Sequence, residues 1–359
     1  MTGEAVPAGA RRTRVLVVSH TYVTPENRRK LEAMARSVDV LALVPDQGRD
    51  LTGTQRVAPC VNGGYELVPL PVRGETSGGT RWFFRGADAH WARFRPDVVL
   101  VEQEVWSYAL VQALWLRHRY APASTLVVYA WESQRRAGWR GWLAPLFYRG
   151  ATRRAAALLA GNRDARDLFV EHGADPARVF VAAEVGLDPV RLCPAEPALR
   201  ERLRRRHGFA DGEFVVGYAG RLLEEKGLVD LADAVASLTR AGVAARLALI
   251  GDGPLRAEME RRRAVGEPLV LFPPVQREEL APFYQSLDAF VLPSRTTPLW
   301  KEQFGMVLAE AMACGVPVVG SSSGAIPDVM GDAGLVFAEG DPAALAGVLR
   351  RLAGDPGLR

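Results

Sequence analysis

Short apolar runs recur along the chain, each followed by a longer stretch with helical spacing. In the first half they are RVLVV (14–18), VDVLALV (38–44), YELVPL (65–70), DVVLVE (97–102), TLVVYA (125–130), AALLAG (156–161) and RVFVAA (178–183). They are nearly continuous in apolar residues, as strands covered on both faces are. Between them, PENRRKLEAMARS places Leu31, Met34 and Ala35 on one helical face. Alternation of strand and helix predicts a parallel, doubly wound sheet.

The pattern restarts after a proline-interrupted stretch, EVGLDPVRLCPAEPALR (184–200). It then runs through FVVGYAG (214–220), ARLALIG (245–251), PLVLF (268–272), DAFVLP (288–293), VPVVG (316–320) and GLVFA (334–338). The expected class is α/β, with two doubly wound Rossmann-like domains facing a cleft and strand carboxyl ends turned toward it. The expected divisions are a flexible tail over 1–13, a first domain over 14–185, a linker over 186–200 and a second domain over 201–359. A chain of 359 residues is long enough for two cores.

Composition narrows the class. Charged residues make up 24% and apolar ones 48%, as in ordinary globular chains. The formal charge of +4 is carried almost wholly by arginine, the lysines being Lys30, Lys226 and Lys301. No arginine-and-aromatic module of a nucleic-acid binder is recognisable, so no nucleic-acid partner is expected. Cys60, Cys193 and Cys314 form no C-x-x-C pair and are odd in number, which fits a reducing cytoplasm. The start, MTGEAVPAGARRTR, lacks an apolar segment and reads as a loose tail, not a signal peptide. No apolar run is long enough to span a bilayer.

Several chemistries are excluded by their motifs. SHTYVTPE follows the first strand, where a dinucleotide-binding fold needs G-x-G-x-x-G. GDGPLRAE (251–258) lacks the third glycine, and no P-loop, H-E-x-x-H or EF-hand is present. GSSSG (320–324) matches a nucleophile elbow, but all five histidines precede Ser322, whereas that hydrolase order needs one after it. The loop is read instead as a flexible turn near the cleft.

The most informative stretch is KEQFGMVLAEAMACGVPVV (301–319). A helix from Met306 to Ala313 is expected, opening at Phe304–Gly305 and stopping at Gly315. Gly305 would let a ligand approach the backbone, and the free amides of Met306 and Val307 suit a diphosphate. Glu310 stands about two turns along, roughly 8 Å of rise from the start. Glu302 and Glu310 then offer carboxylates to hydroxyl groups on either side of that diphosphate. Taken alone, Glu310 reads as a solvated helix residue. Upstream, GYAGRLLEEKG (217–227) sets Arg221 and Lys226 after a strand, where two cations can neutralise a departing diphosphate.

With these residues in place, the second half resembles family 4 of the retaining glycosyltransferases, with the GT-B fold. The resemblance is carried by GRLLEEKG (220–227), LIGDGP (249–254), LDAFVLPS (287–294), the E-x7-E pair Glu302/Glu310 and GLVFAEGD (334–341), in the family's order. It implies that Arg221 and Lys226 meet the diphosphate, Glu302 the donor sugar and Glu310 the ribose. It also implies that Gly220, Gly251, Asp252 and Gly253 border the nucleotide, and that Val275 in FPPV (272–275) lies near the base. The first half departs from the family. SHTYVTPENRRK replaces a Gly-Gly turn, Trp131-Glu132 replaces a histidine, and AEVGLD (183–188) has Glu184 for asparagine. The chain also closes soon after 341–354, short of that family's crossing last helix.

On the acceptor side, His20 and Glu132 are the candidates. The stretch RRAGWRGWLAPLFYRGATRRAA (135–156) mixes arginine with Trp139, Trp142, Phe147 and Tyr148. The simpler reading is a helix packing its aromatics on the first sheet; the alternative is peripheral docking on the inner face of an anionic membrane. The implied reaction moves a sugar from a UDP- or GDP-sugar to a hydroxyl of a saccharide, a lipid-linked sugar or a small natural product. It proceeds with retention and needs neither metal nor cofactor. The rivals are a nucleotide-sugar 2-epimerase of the same fold and a nucleotide-sugar-binding subunit without chemistry.

Overall fold

The computed structural model describes residues 11–359 except 51–52, 62–63, 76–80, 136–137 and 184–185. Most of the N-terminal tail and Glu184 of the hinge therefore lie outside the described residues. The chain divides into two compact units, Met1–Gly186 and Leu187–Arg359.

The first unit is built on strands β1 (Arg14–Ser19), β2 (Asp39–Pro45), β3 (Tyr65–Leu70), β4 (Val98–Glu102), β5 (Thr125–Ala130), β6 (Ala157–Ala160) and β7 (Val179–Val181). They form one parallel sheet in the order β7-β6-β5-β4-β1-β2-β3. Helix α1 (Arg29–Ala35) covers one face, where Val15, Val17, Val40, Ala42 and Val44 pack with Tyr22 and Leu31. Helices α2 (Ala87–Phe94), α3 (Tyr108–Tyr120), α4 (Gly138–Thr152) and α5 (Arg163–Glu171) share the other face. There Leu16, Val18, Leu41 and Leu43 meet Trp91, Leu110, Tyr148 and Phe169. Alternate residues of β1 and β2 thus enter opposite cores, which explains their continuous apolar runs.

One expectation about this unit is corrected. Helix α4 seats Tyr148 and Ala151 in the core, but Trp142, Leu146 and Phe147 are exposed rather than packed on the sheet. Residues 148 and 151 lie on the face of the helix away from 142 and 146, so only one side of the aromatic set can reach the core. The side chain of Trp139 lies outside the described residues.

The second unit carries β8 (Phe214–Ala219), β9 (Ala245–Ile250), β10 (Leu269–Phe272), β11 (Ala289–Leu292), β12 (Val318–Ser321) and β13 (Gly334–Phe337). These form a parallel sheet in the order β10-β9-β8-β11-β12-β13. Its helices are α6 (Pro197–Arg206), α7 (Leu228–Arg240), α8 (Arg256–Ala264), α9 (Ala281–Tyr284), α10 (Met306–Ala313), α11 (Ile326–Met330) and α12 (Pro342–Gly354). A single core runs from Phe214 and Val216 through Leu231, Leu249, Phe290 and Leu308 to Leu349. Leu192, ahead of α6, is buried in that core.

Candidate functional site

In the second sheet the strand order reverses between β8 and β11, and open α/β sheets bind ligands at such a point, beyond the strand carboxyl ends. The loop after β8 carries Gly220, Arg221 and Lys226, and the loop after β11 carries Ser294, Trp300 and Glu302. Lys226 Nζ lies 2.7 Å from Glu302 Oε2, and Ser294 Oγ donates to the same oxygen at 2.9 Å. The Lys226 ammonium also sits 4.3 Å from the centre of the Trp300 ring, a cation–π contact. Arg221 is exposed on the same loop as Lys226, and its carbonyl accepts a 2.8 Å bond from buried Tyr218. Burial, reinforced by Glu302, raises the Tyr218 phenol far above its usual range, so it stays a donor.

Close backbone approach shapes the neighbouring turns. Gly220, Gly251 and Gly253 have φ of +147°, +140° and +153°. A Cβ on Gly251 would stand 1.9 Å from the Gly220 carbonyl oxygen, and one on Gly253 2.5 Å from that of Leu222. Leu222 N donates to the Asp252 carbonyl at 2.8 Å, so the turns after β8 and β9 are stitched together. Asp252 is exposed and accepts from Gly253 N. Val275, after β10, is half-buried against the core.

Helix α10 has the bounds read from sequence, with left-handed Gly305 as its N-cap at φ +80°. A Cβ there would lie 2.8 Å from Leu292, so the chain itself also requires glycine. Phe304, Met306 and Val307 are half-buried around this helix start. Glu310 is not a solvated residue: it is 2% exposed, accepts from Arg277 Nε, and accepts from Tyr284 Oη at 2.8 Å. Burial, with Glu310 beside it, pushes the Tyr284 phenol well up and keeps it protonated. Arg277 and Tyr284 were not singled out from sequence, because they stand 33 and 26 residues from Glu310 and no local pattern links them.

The GSSSG loop is corrected from a flexible turn to a fixed brace. Ser321 and Ser323 are fully buried, Ser321 Oγ donates to the Ser294 carbonyl, and Thr296 and Ser323 hydroxyls lie 3.0 Å apart. Ala325 N donates to the Glu302 carbonyl at 2.9 Å. Gly324, at φ +54°, comes so close that a Cβ would lie 2.1 Å from that carbonyl oxygen. The loop therefore holds the backbone of Glu302.

In the first unit the strand order reverses between β1 and β4. His20 follows β1 and Gln103 follows β4. Gln103 is buried, and its Nε2 donates to His20 Nδ1 at 2.8 Å, which leaves the proton of the neutral imidazole on Nε2. His20 keeps an exposed surface, yet the surrounding protein depresses its pKa against the opposing pull of Glu102. Glu102 is buried and accepts from Lys30 and Tyr22. Glu132 lies after β5, where its amide and that of Trp131 donate to the Glu104 carboxylate at 3.1 and 3.2 Å. It helps line a recess of about 210 Å³ together with Arg135, Tyr148, Glu171 and His172. Among the described residues no group of three or more His, Cys, Asp or Glu side chains is arranged to hold a metal ion.

Both halves of the chain match known families. Residues 213–355 match the family described as "Glycosyl transferases group 1", and residues 21–183 match "Glycosyl transferase 4-like domain". The chain belongs to the family 4 glycosyltransferases. Within this family it is 33% identical over 215 residues to a D-inositol 3-phosphate glycosyltransferase of Pseudarthrobacter chlorophenolicus, covering 57% of this chain and 49% of the relative. It is 34% identical over 215 residues to a 2-deoxystreptamine glucosyltransferase of Streptomyces kanamyceticus, covering 58% and 54%. The chain thus spans about half the length of the curated relatives it matches.

The GT-B fold extends over nearly the whole chain. The solved structure of Anabaena HepE in complex with UDP superposes with a TM-score of 0.71 at 16% identity, covering 96% of this chain and 91% of that one. The sucrose-phosphate synthase of Thermosynechococcus elongatus superposes with a TM-score of 0.69 at 18% identity, covering 97% and 90%. The match to the 4-like domain begins at Thr21, directly after His20.

Proposed function

We propose that this glycosyltransferase moves a sugar from a UDP- or GDP-sugar to an acceptor hydroxyl with retention of the anomeric configuration. The observation that carries the reading is the Lys226–Glu302 pair, with Arg221 on the same loop as Lys226, at the point where the second sheet reverses its strand order. Arg221 offers a forked cation and Lys226 a compact one to the diphosphate. The ammonium has three protons, so it can bond phosphate and release Glu302 Oε2 for a sugar hydroxyl. The first amides of α10 add a fixed positive end. Glu310, gripped by Arg277 and Tyr284, has lone pairs left for the ribose hydroxyls.

In the reaction the anomeric C–O bond breaks and both electrons leave on the phosphate oxygen. The acceptor oxygen bonds the same carbon on the same face, and its proton passes to that phosphate oxygen. The cations stabilise the charge as it develops, so neither a metal nor a protein nucleophile is required. His20 and Glu132 are assigned to the acceptor side, where the Nε2–H of His20 suits an anionic oxygen or a hydroxyl. The reading is supported by a relative whose name gives GDP-mannose dependence and a structural neighbour solved with UDP, which together leave both bases open. Incubation with labelled UDP- and GDP-sugars, with and without acceptors, tests it. Acceptor-dependent transfer is expected. Donor isomerised without acceptor would mean an epimerase, and binding without turnover a carrier subunit.

A further inference from the structure

We propose that the outer face of α3 and α4 is a docking surface for an anionic lipid bilayer. The two helices follow directly paired strands, β4 and β5, and bury their inner sides in the same core, so both turn their outer sides to solvent on one face of the first unit. Helix α3 exposes Tyr108, Val111 and Trp115, spaced three and four apart, with Trp115 58% exposed. Helix α4 exposes Trp142 at 81% and Leu146 at 69%, with Phe147 beside them. Single exposed apolar residues need no explanation, but two adjacent helices carrying such stripes do.

Charge selects the occupant. Each stripe runs into exposed basic residues at the helix end: His118 and Arg119 on α3, and Arg149, Arg153 and Arg154 on and after α4. From Val105 to Asn162 the sequence has eight arginines and a single carboxylate, Glu132. A second copy of this chain would bring like charges together across the contact, which works against self-association. An anionic bilayer meets both features, since its headgroups attract arginine while its interfacial region accepts tryptophan and leucine. Among the described residues no helix is long and apolar enough to cross a membrane, so this contact lies on the surface. It does not depend on the sugar-transfer reading.

The test is co-sedimentation of the full chain with vesicles of phosphatidylcholine alone, or with about one third phosphatidylglycerol. Binding is expected with the anionic vesicles, weakening as salt rises. The double substitution Trp142→Ser/Leu146→Ser should reduce it about tenfold or more, and Arg149→Gln/Arg153→Gln likewise, with unchanged thermal melting. In the wild-type chain, brominated acyl chains should quench tryptophan emission. No binding to anionic vesicles, equal binding to both, or unchanged binding by the double variants would overturn the proposal. So would sedimentation equilibrium showing a dimer that Trp142→Ser/Leu146→Ser dissolves.

Discussion

Lys226 and Glu302 meet at 2.7 Å across 76 residues of sequence, each with little side-chain exposure. The direct ion pair, with Ser294 Oγ on the same carboxylate oxygen, holds both side chains aimed at one place. Lys226→Ala should weaken nucleoside-diphosphate binding at least tenfold by calorimetry. It should also cost about 1–2 kcal/mol of stability, because Glu302 loses its partner. The double variant Lys226→Met/Glu302→Gln should recover most of that stability and none of the affinity. Unchanged affinity in Lys226→Ala would remove the lysine from the site.

The two carboxylates should separate by ligand. Glu302→Gln is expected to weaken the intact nucleotide sugar far more than the free nucleoside diphosphate, while Glu310→Gln should weaken both. Glu310→Gln should in addition cost about 1–2 kcal/mol in urea unfolding, because half-buried Arg277 loses its charged partner and one of the two bonds to buried Glu310 meets an amide NH2 that cannot accept. Equal loss for both ligands in Glu302→Gln would contradict the division of roles.

The strands were legible because both faces of each sheet are covered, which writes β1, β5, β8 and β9 as nearly continuous apolar runs. Helix α10 was legible to the residue, since Gly305 and Gly315 are both left-handed and bracket it. What sequence does not carry is the partner of each charge. Arg277, Tyr284 and Ser294 reach Glu310 and Glu302 from other elements, and Gln103 reaches His20 from 83 residues away. Nor did it separate the two sides of α4, whose inner Tyr148 and outer Trp142 are equally aromatic.

The glycine brace on Glu302 yields its own test. Gly324→Ala must push back the Glu302 carbonyl and sits at a left-handed φ, so it should cost about 2–3 kcal/mol. Donor affinity should fall with it, because the carboxylate moves with its backbone. Ser322→Ala, two residues away in the same loop, should leave turnover intact, since the loop holds no nucleophile. Loss of turnover in Ser322→Ala would reopen the hydrolase reading.

Retention is tested most directly without knowing the acceptor, by letting water take its place. Incubated with an α-linked UDP- or GDP-sugar in the presence of a metal chelator, the enzyme should slowly release free sugar. Proton NMR, recorded before the anomers interconvert, reads the configuration at the new bond. A front-face reaction assisted by the leaving phosphate releases the α-anomer first, and the chelator does not slow it. Initial release of the β-anomer would contradict retention, and would make Glu132 the leading suspect for a catalytic base.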